Sequence, residues 1–251
     1  MSRQRLGQHF LNKTSVLERI ASAACPEREP LVIEIGPGRG ALTDAIMARA
    51  DRVIAIEIDA GLVELLRQKF TAEARVTLVP ADALHTDLSQ WGPAVIAGNL
   101  PYYAATPIIE KTLETPFCRA VFLVQKEVAA RLTARPGTRD HGYLSVRTQL
   151  FADVETLFDV APSAFHPPPK VYSTLVRLLP HHRAAELGIA DAGRFLAFVA
   201  QCFRHKRKTI RNNLAGTFGK DAGASYPEAG RRAEQLTIEQ FADLYRRLVP
   251  S

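Results

Sequence analysis

Short apolar runs rich in Val, Ile and Ala punctuate the first half of the chain, and between them apolar residues recur at the three- and four-residue spacing of helices. Residues 31–35, 52–58, 75–79, 94–97 and 120–124 read as strands. With helices between them they predict right-handed βαβ units and a mostly parallel sheet covered on both faces. After Pro136 and Gly137 a helical piece precedes two further strand patterns, 154–160 and 171–178, separated by the proline-rich AFHPPPK. Two strands joined that closely suggest an antiparallel hairpin at the edge of a seven-stranded sheet. Past Pro180 the strand signals stop, and residues 192–202, 206–215 and 238–248 read as short helices. The expected organisation is an α/β, Rossmann-like domain over residues 1–180 and a small all-helical C-terminal domain over residues 181–251. No internal repeat or low-complexity tract is visible.

A chain of 251 residues, 47% of them hydrophobic, is long enough to bury such a core. It contains no stretch near the roughly 18 apolar residues of a membrane span, and the N-terminal MSRQRLGQHFLNK lacks the apolar centre of a signal peptide. A cytoplasmic protein with no membrane partner is expected. Cys25, Cys118 and Cys202 lie far apart without a CxxC pair, and the histidines form no ligand spacing with them, which predicts buried thiols, no disulfide and no metal. His181 and His182 read as a solvated linker. The net charge is +6, but residues 1–180 carry 20 Lys and Arg against 19 Asp and Glu, whereas residues 181–251 carry 12 against 7. The cationic excess therefore sits in the tail and suggests an anionic partner there.

EIGPGRGALT, residues 34–43, follows the first strand and opens a helix. Gly36, Gly38 and Gly40 allow a sharp turn and close approach to a ligand, with backbone amides and a helix N-terminus as its polar contacts. Glu57 ends the second strand, 21 residues after Gly36, where a carboxylate can accept from both hydroxyls of a ribose. Both features suit a dinucleotide as well as S-adenosylmethionine. Asp82, just after the third strand, can accept from an adenine amino group, and no basic cluster near the glycines calls for a pyrophosphate; these tilt the choice to S-adenosylmethionine. Asp82 could equally cap the segment that follows it.

AGNLPYY, residues 97–103, closes a buried strand with an amide, a proline and two aromatics. An exocyclic adenine nitrogen is a poor nucleophile because its lone pair is delocalised into the ring. The Asn99 side-chain oxygen and a main-chain carbonyl of Leu100-Pro101 can accept from its hydrogens and localise that pair, while Tyr102 stacks on a base taken out of its helix. The ordinary alternative is a β-turn with two tyrosines packed near the surface.

The combination resembles the bacterial small-subunit (16S) ribosomal RNA adenine N6,N6-dimethyltransferases, the kasugamycin-sensitivity type of the rRNA adenine N6-methyltransferase family, over essentially all 251 residues. The resemblance is carried by GQHFL at 7–11, EIGPGRGALT, the Glu57 strand end, DAL at 82–84, NLPYY, LVQKEVAARLTARPGT at 123–138, LSV at 144–146, FHPPPKV at 165–171 and RKTIRNNL at 207–214. It implies a class I methyltransferase domain and dimethylation of two adjacent adenosines near the 3′ end of the small-subunit rRNA, in a pre-30S assembly intermediate, by a monomer. It further implies that His9 and Leu11 line the cofactor pocket, that Gly36, Gly38, Glu57, Asp82 and Asn99 contact S-adenosylmethionine, and that Asn99, Leu100, Pro101 and Tyr102 hold the target nitrogen. Phe165 is implied to face Tyr102 across the base; from the chain alone it is equally a core aromatic beside prolines. His9 stands where many relatives have Asn, and Tyr103 and Tyr172 also depart from frequent residues.

RHKRKTIRNNL, residues 204–214, holds five Arg or Lys and no carboxylate. With Arg3, Arg5 and Lys13 near the N-terminus, it marks Arg204, Lys206, Arg207, Lys208 and Arg211 as phosphate contacts, against the alternative of a solvated helix face. Thr209, Ile210 and Leu214 are expected to pack the helical domain. Three other functions share parts of these motifs: a large-subunit rRNA adenine methyltransferase of the macrolide-resistance type, a non-catalytic ribosome-assembly factor, and a nicotinamide dehydrogenase.

Overall fold

A computed structural model describes residues 9–219 and 226–249; Arg3 and Arg5 of the basic N-terminal arm lie outside the described residues. In chain order the elements are β1 (Phe10–Leu11), α1 (Thr14–Ala24), β2 (Val32–Ile35), α2 (Ala41–Met47), β3 (Val53–Glu57), α3 (Ala60–Lys69), β4 (Val76–Pro80), β5 (Ala94–Asn99), α4 (Ala105–Leu113) and β6 (Phe117–Gln125). They are followed by α5 (Lys126–Leu132), α6 (Tyr143–Phe151), β7 (Ala152–Val160), β8 (Phe165–His166), β9 (Ser173–Pro180), α7 (Arg183–Glu186), α8 (Ala192–Cys202), α9 (Ile210–Phe218) and α10 (Ile238–Leu248).

Seven strands form one sheet in the order β4-β3-β2-β5-β6-β9-β7. The pairs from β4 through β6 are parallel and β6–β9 is antiparallel. Every residue of β2 and β3 is buried, as expected of central strands covered on both faces. From β2 the chain first builds outward through β3 and β4, then returns to the other side of β2 with β5. That reversal opens a crevice beyond the carboxyl ends of β2 and β5. Glu57 and Asn99 are the last residues of β3 and β5, and Asp82 stands two residues beyond β4, so all three sit at this end of the sheet.

The chain divides into two compact units, residues 1–129 with 154–180 and residues 130–153 with 181–251. Residues 130–153 thus cluster with the tail, whereas the sequence reading assigned them to 1–180. The reason is hydrophobic: Val146 and Leu150 of α6 belong to the buried cluster formed by Phe195, Phe198, Val199, Leu214, Phe241 and Leu244, separate from the cluster of α1, α2 and the sheet. In this second unit Asp191 caps α8 by accepting from the Arg194 N–H, and Thr237 and Gln240 form a reciprocal capping box on α10.

Two further expectations are corrected. The helix read over 206–215 begins only at Ile210, because Thr209 is its N-cap and accepts from the Asn212 N–H, so Arg204, Lys206, Arg207 and Lys208 lie in the preceding turn. Cys118, on β6, is exposed, whereas Cys25 and Cys202 are buried. The antiparallel pairing of β1 with β8, Phe10 opposite His166 and Leu11 opposite Phe165, had no sequence signal, since two residues show no periodicity.

Gly98 on β5 admits a close approach to the end of β2, where the two strands flank the crevice. A Cβ added there would lie 2.5 Å from the Ile35 carbonyl oxygen at the end of β2, a separation that backbone cannot tolerate. Gly98→Ala is therefore expected to lower the denaturation midpoint, by about 1–3 kcal/mol of stability. An unchanged midpoint in urea denaturation would show that β2 and β5 separate without cost.

Candidate active site

A cavity of about 370 Å³ occupies the crevice, within the size range of small-molecule sites. Its wall combines His9 to Leu11 of the N-terminal segment, residues 34–39 of the β2–α2 turn, Glu57 and Ile58, Asp82 to Leu84, and the stretch from Asn99 to Ala104. Nearly all the residues singled out for cofactor and base are thereby brought to one place.

Gly36, Gly38 and Gly40 all have left-handed φ, of 69°, 59° and 74°. Their amides do not face the cavity as donors, contrary to expectation. Gly36 N–H donates to Ile56 O at 2.9 Å, Gly40 N–H to Pro37 O at 2.8 Å, and Gly38 N–H to Glu57 Oε2 at 3.1 Å. The loop works instead by close approach and by bracing Glu57, whose Oε1 accepts from Asp59 N–H at 2.9 Å. Held by two backbone amides, the Glu57 carboxylate is fixed in orientation, and each oxygen keeps further acceptor capacity for a ligand. Its pKa is raised by burial, with the bonds from Asp59 and Gly38 acting in the opposite direction.

Asp82 lines the cavity, and it also caps the following turn: Oδ1 accepts from Leu84 N–H at 2.9 Å and Oδ2 lies 3.0 Å from His85 Nδ1. Asn99 Nδ2 donates to the His9 carbonyl at 3.1 Å, which assigns the other end of the amide, Oδ1, as the acceptor left for a ligand. Leu100 is buried and its N–H donates to Leu123 O at 3.1 Å, continuing the β5–β6 ladder into the loop, while Pro101 O accepts from Ala104 N–H at 2.9 Å. The Tyr102 hydroxyl is 3.0 Å from Ser173 Oγ, and burial raises its pKa.

Phe165 is 4% exposed and belongs to the buried cluster that also holds Leu11, Leu17 and Leu175; it is not among the residues that line the cavity. The ring beside Tyr102 is that of His9, with centroids 5.5 Å apart and planes tilted by 38°. His9 Nδ1–H donates to Pro167 O at 2.8 Å, which anchors this ring to the FHPPPK segment.

Glu34, the first residue of the glycine motif, carries no sequence-based expectation. It is 1% exposed in β2, lines the cavity, and has its pKa pushed up to about 7, chiefly by burial and further by Asp44 and Glu57. Thr43 acts in the opposite direction, although neither its Oγ1 nor Glu34 Oε2 makes a well-formed hydrogen bond among the described residues. A carboxyl inside an all-apolar strand is the signal that could have identified it. With Glu34, Glu57 and Asp82 the cavity presents carboxyl groups to any occupant and fits a cationic cofactor bearing a ribose. Because the folded pKa stands above the unfolded value of 4.5, the native protein retains a proton the unfolded chain releases, and stability falls as pH rises from 4.5 to about 7. Glu34→Gln stays neutral, so its stability relative to the unsubstituted protein should improve across that window, by about 3 kcal/mol in all. Urea denaturation at pH of about 5 and about 8 measures this, and equal differences at both would mean that the carboxyl is not neutralised by burial.

The Ribosomal RNA adenine dimethylase family model matches residues 1–249. The chain is 42% identical to the Ribosomal RNA small subunit methyltransferase A of Acidobacterium capsulatum, over 97% of this chain and 90% of that one. It is 39% identical to the protein of the same name from Legionella pneumophila, over 96% of each. Among solved structures, a dimethyladenosine transferase from Plasmodium falciparum superposes with a TM-score of 0.81 at 24% identity, covering 94% and 96% of the two chains. The 23S rRNA methyltransferase ErmE superposes with a TM-score of 0.73 at 26% identity, covering 95% and 99%. With its cavity, its fold and nearly its whole length accounted for in this way, the chain belongs to the ribosomal RNA adenine dimethylase family.

Proposed function

We propose that the substrate is small-subunit rRNA, dimethylated at N6 of two adjacent adenosines in its 3′-terminal hairpin while it is part of a pre-30S assembly intermediate, and that a monomer performs the reaction. The observation that carries the reading is the convergence of Glu57, Asp82 and the Asn99–Tyr102 stretch on one cavity. The small-subunit relatives support the choice of rRNA at higher identity than ErmE supports the large subunit. The intact cavity argues against a purely non-catalytic assembly factor.

S-adenosylmethionine, when bound, supplies an electrophilic methyl group. Glu57 would hold the two ribose hydroxyls through the acceptor sites that Gly38 and Asp59 leave open, and Asp82 would hold the adenine amino group of the cofactor. His9 and Leu11 would close the wall, and the Glu34 carboxyl lines the same cavity. On the substrate side, Pro101 O is already used by Ala104, so Leu100 O is the main-chain acceptor for the target amine and Asn99 Oδ1 is the second. Two acceptors localise the N6 lone pair; positioning does the work a strong base would otherwise do. Tyr102, tethered through Ser173, stacks on the base, with the His9 ring beside it. The exposed cations of the second unit hold phosphates.

Mass-spectrometric mapping of N6,N6-dimethyladenosine after incubation of purified protein with unmethylated pre-30S particles tests the reaction; modification confined to 23S rRNA would transfer the reading to the large subunit. Glu57→Ala should lose a few kcal/mol of cofactor affinity in calorimetry while melting as before, since the lost charge-assisted bonds have no substitute. Unchanged affinity would remove Glu57 from the site. Asn99→Ala should slow methylation by about a hundredfold or more at unchanged RNA affinity. A parallel loss of RNA binding would make Asn99 a recognition group instead.

A further inference from the structure

The turn between α8 and α9 concentrates like charge. Arg204, His205, Lys206, Arg207 and Lys208 are consecutive and all exposed, and no carboxylate occurs between residues 204 and 214. Mutual repulsion favours opening such a turn, so its shape must be held by something other than ion pairs. What holds it is a neutral amide. Asn213, 8% exposed on α9, donates through Nδ2 to Cys202 O at 2.7 Å and to His205 O at 3.2 Å, and its Oδ1 accepts from His205 N–H at 3.1 Å. Both donors and an acceptor of one side chain are thus spent on the backbone of the basic turn. Cys202 O is a terminal carbonyl of α8 with no helical successor, so the same amide also ends that helix.

The flanks of the turn are fastened independently. Lys208 N–H donates to His205 O at 2.9 Å, Ile210 N–H to Arg231 O at 2.9 Å, and Thr209 bridges Arg232. Lys206 Nζ donates to Arg139 O at 3.2 Å, so this cation braces the turn against the 135–141 loop, while Arg204, Arg207 and Lys208 make no ion pair among the described residues. A carboxylate at 213 could accept the His205 N–H as well as an amide does. It would supply no donor to the two carbonyls, and it would set a negative charge against the anion the turn is meant to receive.

We propose that Asn213 is a positioning residue for RNA binding: its buried amide preorganises the 203–208 turn so that Arg204, Arg207 and Lys208 meet RNA phosphates together. This rests on the reading of the basic run as an RNA contact. Asn213→Leu keeps the branching and heavy-atom count of the side chain, has the higher helix propensity and removes all three hydrogen bonds. In the full-length protein, its affinity for the 3′-terminal hairpin of small-subunit rRNA should fall about tenfold, and the salt slope of binding should flatten by up to about one. S-adenosylmethionine affinity should not change. In a background with Arg204, Arg207 and Lys208 replaced by Gln, Asn213→Leu should have no further effect, because the charges it positions are gone. Replacing Arg204, Lys206, Arg207 and Lys208 together by Gln separates the two ideas. An unaltered slope there removes RNA contact by the run; a flattened slope with unchanged binding by Asn213→Leu overturns only the positioning role. An equal loss on Asn213→Leu in both backgrounds overturns it too. Should the leucine variant lose its cooperative melt, Asn213→Ser is measured in its place, and loss of the melt by both assigns Asn213 to the core.

Discussion

The separation of β2 and β5 is the constraint on which the rest of the site depends. The Ile35 carbonyl occupies the space a side chain on residue 98 would need, so the ends of the two strands meet closely only with glycine there. One strand delivers Glu34 and the glycine turn, the other delivers Asn99 and the loop after it. Their spacing therefore sets the distance between the cofactor end and the reacting end of one cavity. Nucleotide sites at topological switch points are explained by connectivity; here connectivity creates the crevice and a missing Cβ allows β2 and β5 to meet closely at its base.

A second theme is how little of the site's polar capacity remains uncommitted. The three loop glycines spend their amides on Ile56, Pro37 and Glu57, Asn99 spends its nitrogen on His9, and Pro101 spends its carbonyl on Ala104. Each internal bond removes a degree of freedom from a group facing the cavity and leaves a defined atom for the ligand. Preorganisation of this kind means that binding does not have to order the site.

The parallel core was legible in the sequence because its buried strands are continuous β-branched runs, and their carboxyl ends could be located to within a residue or two at Glu57 and Asn99. What escaped was decided by three-dimensional partners. β1 and β8 are too short to carry a period, and the start of α9 depended on the cap at Thr209 in place of helix propensity in the Lys and Arg before it. The grouping of α6 with the tail is set by apolar residues far apart in the chain. The burial of Phe165 in the cluster that also holds Leu11 and Leu175 could not be read from the motif around it. Glu34 shows the converse, since a carboxyl in the run VIEI breaks the pattern of its strand and marks the cavity more clearly than any glycine does.

The two-residue pairing of β1 with β8 gives one wall of the cavity a character the others lack. His9, Phe10 and Leu11 reach the cavity without belonging to the seven-stranded sheet, attached through this short ladder, the His9 links and the burial of Leu11. A segment with so few backbone hydrogen bonds opens at a lower free energy than the sheet does. Any molecule lying against it stabilises the closed form by RT ln(1 + [L]/Kd), so occupancy of the cavity and local order of the N-terminal segment are thermodynamically one equilibrium. Residues 9–11 thereby become a reporter of cofactor saturation, readable as protection of their amides from solvent exchange.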